Sequence, residues 1–315
     1  MDYGFGFSDS LAFDITIGTF AALLILLSLP TIILNVCIIH AIIYRRDLQR
    51  PSFLLVANLA LSDCLAAAIT YLGLASLFIR LISGEDVCYV AFVLAPLGYA
   101  FTTVTFLNSM LQVLDRYCAT FMPFKYSEAV TKRRMLYACI VAWTVPSIMV
   151  VIWLVTRNKI YNQVFMLQGI AIGLTLEIIC YVRIIREVKR IESSMKNMLR
   201  AVDENFKIES KITKATAVIV GVIVLSFLPT FIMTIWDMAV PNDKQGSFFA
   251  YANYTSWILA LLNSCINPII SCTQLSVLRN AVRDILKVNC CKRKVEPKSN
   301  SMDVQQEMAQ RVEQS

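Results

Sequence analysis

The chain has 315 residues, of which 57% are hydrophobic and 16% charged, with a net charge of +7 and a mean hydropathy of +0.62. A soluble domain carries roughly 25% charged residues, so the composition excludes an ordinary soluble fold and points to a membrane protein. The length suits one bundle with little left for a separate soluble domain, and no motif for nucleic-acid binding accompanies the positive charge.

Seven apolar stretches are each long enough to cross a bilayer, which takes about 20 residues as a helix. They run approximately from Ile17 to Tyr44, Ser52 to Arg80, Cys88 to Thr120, Met135 to Val155, Val164 to Ile185, Ile212 to Ala239 and Ser247 to Thr273. The expected architecture is an all-α bundle of seven transmembrane helices. Lys and Arg concentrate in alternate loops, around Arg45, Arg46 and Arg50, around Lys125, Lys132, Arg133 and Arg134, and from Arg186 through Lys214. By the positive-inside rule those loops are cytoplasmic. The N-terminus, residues 1–16 with Asp2, Asp9 and Asp14, is then extracellular. The first apolar run is too long, and its flank too acidic, for a cleavable signal peptide.

In chain order, the first span contains Asn35 and the second contains Asn58 and Asp63. A carboxylate facing lipid at this depth costs about 2.5 to 3.5 kcal/mol, so Asp63 must look into the bundle. Thr105 of span three, with Asn263 and Asn267 of span seven, are its candidate partners. The group Asn35, Asp63, Thr105, Asn263 and Asn267 reads equally as a packing network or as an ion site. Span three ends on Asp115-Arg116-Tyr117, a charged pair that is costly at membrane depth unless paired. Glu177 is a second intramembrane acid, in span five, to which the pattern assigns no role. Pro229 interrupts span six and Pro268 span seven, each removing a backbone hydrogen bond and favouring a kink.

After the seventh span, Leu275, Leu278, Val282, Ile285 and Leu286 recur at helical spacing with Arg279, Arg283 and Lys287 opposite. Residues 274–291 therefore read as an amphipathic helix on the membrane surface. Cys290 and Cys291 close it, either as a palmitoylation site or as two free cytosolic thiols. The tail, residues 292–315, is polar and expected to be disordered.

Taken together, the order and spacing of these residues from about Ile17 to Cys291 resemble the rhodopsin-like, class A G protein-coupled receptors. The matches are Asn35, then Asn58-Leu59-Ala60 with Asp63, then Asp115-Arg116-Tyr117 and Pro123-Phe124-Lys125-Tyr126, then Trp143, Tyr181, Pro229 and Asn267-Pro268. The resemblance implies an extracellular ligand, a heterotrimeric G protein, arrestin as a further partner, membrane lipids around the bundle, and residence in the plasma membrane. It implies that the cytoplasmic end of span six swings outward on activation. Arg116 would be restrained at rest by Asp115 and by Glu209, unless Glu209 is simply a solvated loop charge, and Phe124 would pack on the G protein. A sodium ion at Asp63 is the one implied cofactor, and no enzymatic activity is expected.

Departures from the family are as informative. Ser271 stands where the family has tyrosine, Phe227 replaces a tryptophan, Ile223 a phenylalanine and Gly173 a proline, which predicts altered coupling or basal activity. Cys88 is the only cysteine near the outside, and the second extracellular loop has none, so the usual disulfide is not expected. The cysteine-free loop and the missing proline look most like the melanocortin, cannabinoid, lysophospholipid and adenosine receptors. Gly98 occupies the position of the amine-binding aspartate, which disfavours a monoamine, and span seven has no lysine for a retinal Schiff base. By family position the pocket faces are Tyr71, Gly98, Tyr99, Thr102, Phe227, Phe231, Thr234, Tyr254 and Trp257. That lining suits a lipid-like or small neutral ligand, unless several are only packing residues, while Glu85, Asp86 and Asp237 would suit a cationic peptide. A transporter or channel, with Asp63 and Glu177 on an ion path, and a non-signalling scaffold are the competing readings. No internal repeat of the transporter kind is evident.

Overall fold

Buried in lipid, a peptide chain must satisfy its backbone hydrogen bonds within itself, and a helix does so along its whole length. The long apolar runs accordingly fold as helices in the computed structural model, which describes residues 11–157, 159–197, 204–241 and 247–290. They are α1 (Leu11–Tyr44), α2 (Pro51–Ile82), α3 (Cys88–Phe121), α4 (Lys132–Thr156), α5 (Lys159–Asn197), α6 (Glu204–Ala239) and α7 (Ser247–Gln274), followed by the amphipathic α8 (Ser276–Cys290). No strand occurs among the described residues. Six of these helices are long and apolar enough to cross a membrane, and α6 contributes a shorter described apolar stretch, Val224–Ala239. The expected tail 292–315, with Cys291, lies outside the described residues, as do the side chains of Glu209 and Cys290.

Local chemistry sets the ends. Pro51 opens α2, where its missing N–H costs nothing. The Thr131 hydroxyl accepts the Arg134 N–H at 3.3 Å to cap α4. Gly84, just past α2, takes a positive φ of 71° that a side chain would oppose. Within α2, residues Ala66–Tyr71 widen into a π-helical turn directly after Asp63, and such insertions turn the following side chains to a new face.

Helix α3 is the centre of the bundle, packing against α2, α4, α5, α6 and α7. A polar clamp fixes it laterally. The Trp143 indole N–H donates to Asn58 Oδ1 at 2.9 Å, and Asn58 Nδ2 donates to Asn108 Oδ1 at 2.5 Å, joining α4, α2 and α3. On the outside, Leu26, Leu29, Ile148 and Val151 stay exposed, as helices facing hydrocarbon require. Helix α8 buries Leu278, Ala281 and Val282 against Ile38, Ala41 and Ile42 of α1, and leaves Arg279 and Arg283 exposed.

Candidate functional site

The C-terminal end of α3 carries the first site. Arg116 and Asp115 are both buried, and the guanidinium grips the carboxylate through Nε at 3.0 Å and Nη2 at 2.5 Å. Nη2 also donates to Ser52 Oγ at 3.0 Å, bringing in the start of α2. Tyr126 lies beyond α3 on the short helix Tyr126–Ala129, and its hydroxyl donates to Asp115 Oδ1 at 2.7 Å while lying 2.9 Å from Ser52 Oγ. Burial pushes the Tyr126 phenol up to about 12, with the Asp115 carboxylate beside it adding to the rise and the Ser52 hydrogen bond opposing it. Tyr126 therefore stays a proton donor at neutral pH. Desolvated charge pairs are strong only when their remaining hydrogen-bonding positions are filled, and here both carboxylate oxygens are engaged. Tyr117 stacks on Phe121 with ring centroids 4.5 Å apart. Phe124, 96% exposed, projects from the loop next to this network.

The second site lies in mid-bundle. Asp63, fully buried, accepts from Thr105 Oγ1 at 3.3 Å and from Asn267 Nδ2 at 3.0 Å, so α2, α3 and α7 meet on one carboxylate. Asn263, one turn before Asn267, is buried with neither its amide nitrogen nor its oxygen bonded, and Asn267 Oδ1 is likewise unpartnered. Asn35 is buried too, but its amide donates back to the Thr31 carbonyl at 2.9 Å within α1. The Asp63 carboxylate with the unpartnered oxygens of Asn263 and Asn267 on α7 is a donor set of the kind that suits a hard monovalent cation, so the residues present fit a sodium ion.

Next to Thr105, a slot of about 10 Å³ is lined by Gly98, Thr102, Thr105, Phe227, Leu261 and Ser264, among others. That is room for roughly one water molecule, far below the roughly 300 to 1,000 Å³ of pockets for drug-sized ligands. Of the expected pocket residues, Tyr71, Tyr99, Phe231, Thr234, Tyr254 and Trp257 are not among its lining. Tyr99 stands between Trp153 and Trp257, at 6.2 and 6.0 Å. Tyr254 meets Phe78 edge-on at 5.2 Å. Tyr71 and Tyr254 both belong to the buried cluster shared by α1, α2 and α7, and the Tyr71 hydroxyl donates to the Leu261 carbonyl. Phe231 is half-buried, and Thr234 donates to the Thr230 carbonyl at 2.7 Å.

Beside Pro229, Thr230 Oγ1 donates to the Ser256 carbonyl of α7 at 3.0 Å, tying the outer half of α6 to its neighbour. Phe227 is buried and meets Phe106 of α3 edge-on at 6.0 Å. The same Phe106 ring lies so close to the α5 backbone that a Cβ at Gly173 would fall within 3.0 Å of it. The proline-to-glycine departure is thus filled from across the bundle by a large ring. Sequence reasoning passed over Phe106, Ser52 and Asn108. Nothing in their local pattern marks them, since each acquires its role only from a partner on another helix.

A family model for the 7 transmembrane receptor (rhodopsin family) matches residues 34–165 and 155–270. Among curated relatives, the alpha-1A adrenergic receptor of Cavia porcellus is 24% identical over 89% of this chain and 69% of its own length. Cannabinoid receptor 1 of Xenopus laevis is 23% identical over 90% of this chain and 66% of its own length. Melanocortin receptor 5 of Rattus norvegicus is 23% identical over 84% and 82% respectively. Against other adrenergic relatives, from Oryzias latipes and Mus musculus, the chain spans 64% and 66% of their length. With the helical bundle and the matched region together covering most of the sequence, this chain belongs to the rhodopsin family of seven-transmembrane receptors.

Proposed function

We propose that this protein is a plasma-membrane receptor that converts the binding of an extracellular ligand into activation of a heterotrimeric G protein. The observation that carries the reading is the buried Arg116, held by Asp115 and Ser52 at the cytoplasmic end of α3 with Tyr126 bracing the carboxylate. A desolvated arginine kept in so complete a cage stores an interaction that a competing surface can take over. Release of the cage and outward movement of the cytoplasmic half of α6 about Pro229 would expose Arg116, with Phe124 as the neighbouring apolar contact. Tyr181, Pro229, Asn267 and Pro268 are the positions on α5, α6 and α7 at which that rearrangement is absorbed. Glu209 is proposed as a second restraint on Arg116, and arrestin as a competing partner for the opened face.

The ligand enters from the side of the N-terminus, residues 1–16, and the concentration of Lys and Arg in the alternate loops supports an extracellular position for it. Gly98 offers no carboxylate to a protonated amine, so the proposed ligand is a small apolar or neutral molecule, or a peptide, even though adrenergic receptors are among the relatives. Asp63, with Thr105, Asn263 and Asn267, would hold a sodium ion that favours the resting packing. Acyl chains on Cys290 and Cys291 would anchor the end of α8 to the inner leaflet.

The test is guanine nucleotide exchange on purified heterotrimer, with the intact receptor in lipid nanodiscs and a screen of lipids, nucleosides and peptides. Arg116→Ala should abolish ligand-driven exchange while surface expression is retained. Exchange that survives in this variant removes the proposed role of Arg116, and a wild-type protein silent to every ligand class favours the non-signalling scaffold.

A further inference from the structure

Along α3, Thr105, Ser109, Gln112 and Arg116 recur at i, i+4, i+7 and i+11, which places them in one stripe on the helix surface. Each end of the stripe has an acid of its own. Thr105 donates to Asp63 and Arg116 to Asp115. The middle of the stripe also faces an acid. Glu177 of α5 is 1% exposed and lies against Ser109, itself 1% exposed. Yet no hydrogen bond is completed there. Both Glu177 carboxylate oxygens, the Ser109 hydroxyl and the buried Gln112 amide nitrogen lack any partner. Toward the cytoplasm, Val113, Tyr117, Cys180, Ile184 and Val224 form an apolar layer that keeps water out from below.

Leaving a carboxyl group buried without partners is strongly unfavourable, and few native side chains stay in that condition without a bound species to relieve it. We propose that Glu177, Ser109 and Gln112 form a second internal site for a small monovalent cation, distinct from the one at Asp63. The carboxylate supplies the charge and two oxygens. Ser109 supplies a third oxygen, and the Gln112 amide contributes its carbonyl to the ion or an N–H to the carboxylate. The site does not depend on the signalling reading, because a bound cation stabilises the fold whether or not a G protein is engaged.

Thermal unfolding of the full chain in nanodiscs, with sodium chloride replaced by choline chloride at constant ionic strength, reads it directly. In the Asp63→Asn background, sodium should still raise the melting temperature in a saturable way, and adding Glu177→Gln should remove that response. Ser109→Ala in the same background keeps the acid, and should shift the sodium midpoint upward by about fivefold, the effect of losing one oxygen ligand worth about 1 kcal/mol. The proposal is overturned if Asp63→Asn alone abolishes the sodium response, or if the Ser109→Ala midpoint does not move. An infrared band of a protonated carboxyl that disappears in Glu177→Gln would also overturn it, by showing that a proton occupies the site instead.

Discussion

The two polar regions of the bundle are built from similar residues and are finished differently. At the C-terminal end of α3, Asp115, Arg116, Ser52 and Tyr126 satisfy one another and join α2, α3 and the loop helix. In mid-bundle, Asp63 has two donors, but Asn263, Asn267 and Glu177 keep atoms with no partner. A completed network holds one packing in place, and removing any member leaves a buried group exposed to the full desolvation penalty. An incomplete one is a place where an ion, or a change of packing, can alter the energy. The difference teaches that the C-terminal end of α3 is locked by its own side chains, whereas the middle of the bundle keeps buried polar atoms that a bound species could satisfy.

The largest break in this contrast comes from the locked end of α3. Asp115→Asn removes the carboxylate that the buried Arg116 grips through two nitrogens, which should destabilise the resting receptor by about 3 kcal/mol and raise ligand-independent nucleotide exchange. Thermal unfolding and basal exchange measured side by side check both halves, and a variant as stable and as silent as wild type would place the restraint elsewhere. Next in size is Gly173→Ala, whose methyl group collides with Phe106. Overpacking of this kind costs about 2 kcal/mol, and because Phe106 leans on Phe227, the displacement should reach α6 and appear as a changed ligand response. Repair by the added substitution Phe106→Leu distinguishes a packing clash from general instability.

A finer probe of the same end is Tyr126→Phe. It deletes one O–H donor to a carboxylate at a half-buried position, a loss of about 1 kcal/mol, with a modest rise in basal exchange. The phenol also predicts a pH dependence. Its folded-state value near 12 lies above the ordinary 10.0, so the folded protein holds the proton more tightly than the unfolded chain does. The stability it contributes is full below pH 10.0 and is lost as the pH rises toward 12. Ultraviolet titration of tyrosinate should therefore show one fewer late-ionising phenol in Tyr126→Phe than in the wild type. The smallest effect belongs to the surface. Arg45 and Asp284 join α1 to α8 at 3.4 Å, but with side chains 44% and 61% exposed. Arg45→Ala should change stability by under about 1 kcal/mol, and a larger loss would mean that α8 docking depends on that pair rather than on buried Leu278 and Val282.

Much of the fold was readable from the chain alone. A run of about 20 apolar residues has few structures open to it in lipid, so the spans follow from composition, while the family was legible only through the resemblance of the motifs they carry. Helix ends move outward by a turn or more, as in Leu11–Tyr44 against the expected start at Ile17, because polar flanks continue a helix that hydropathy cannot see. The short helix α8 was legible through the alternation of Leu278 and Val282 with Arg279 and Arg283. For the candidate sites, sequence pattern singled out Asp115, Arg116, Asp63, Thr105, Asn263 and Asn267, because charge and amide groups within apolar runs are costly enough to stand out. It did not foresee the adrenergic relatives, since Gly98 removes the residue by which an amine receptor would be noticed.

What the sequence determined by itself is the class of object: helices of membrane length, their number and order, and the positions at which buried polarity demands an explanation. Only the tertiary structure decided who answers whom. Asn35 turns back to its own helix while Asn267 reaches Asp63. Ser52 and Tyr126 close the cage on Arg116 and Asp115, Phe106 fills the space above Gly173, and Ser109 meets Glu177 without satisfying it. The physical reason is that burial is a local property of each run, legible in its hydropathy. Hydrogen-bond partnership and steric fit depend on the rotation and depth of neighbouring helices, which are set by packing between residues far apart in the chain.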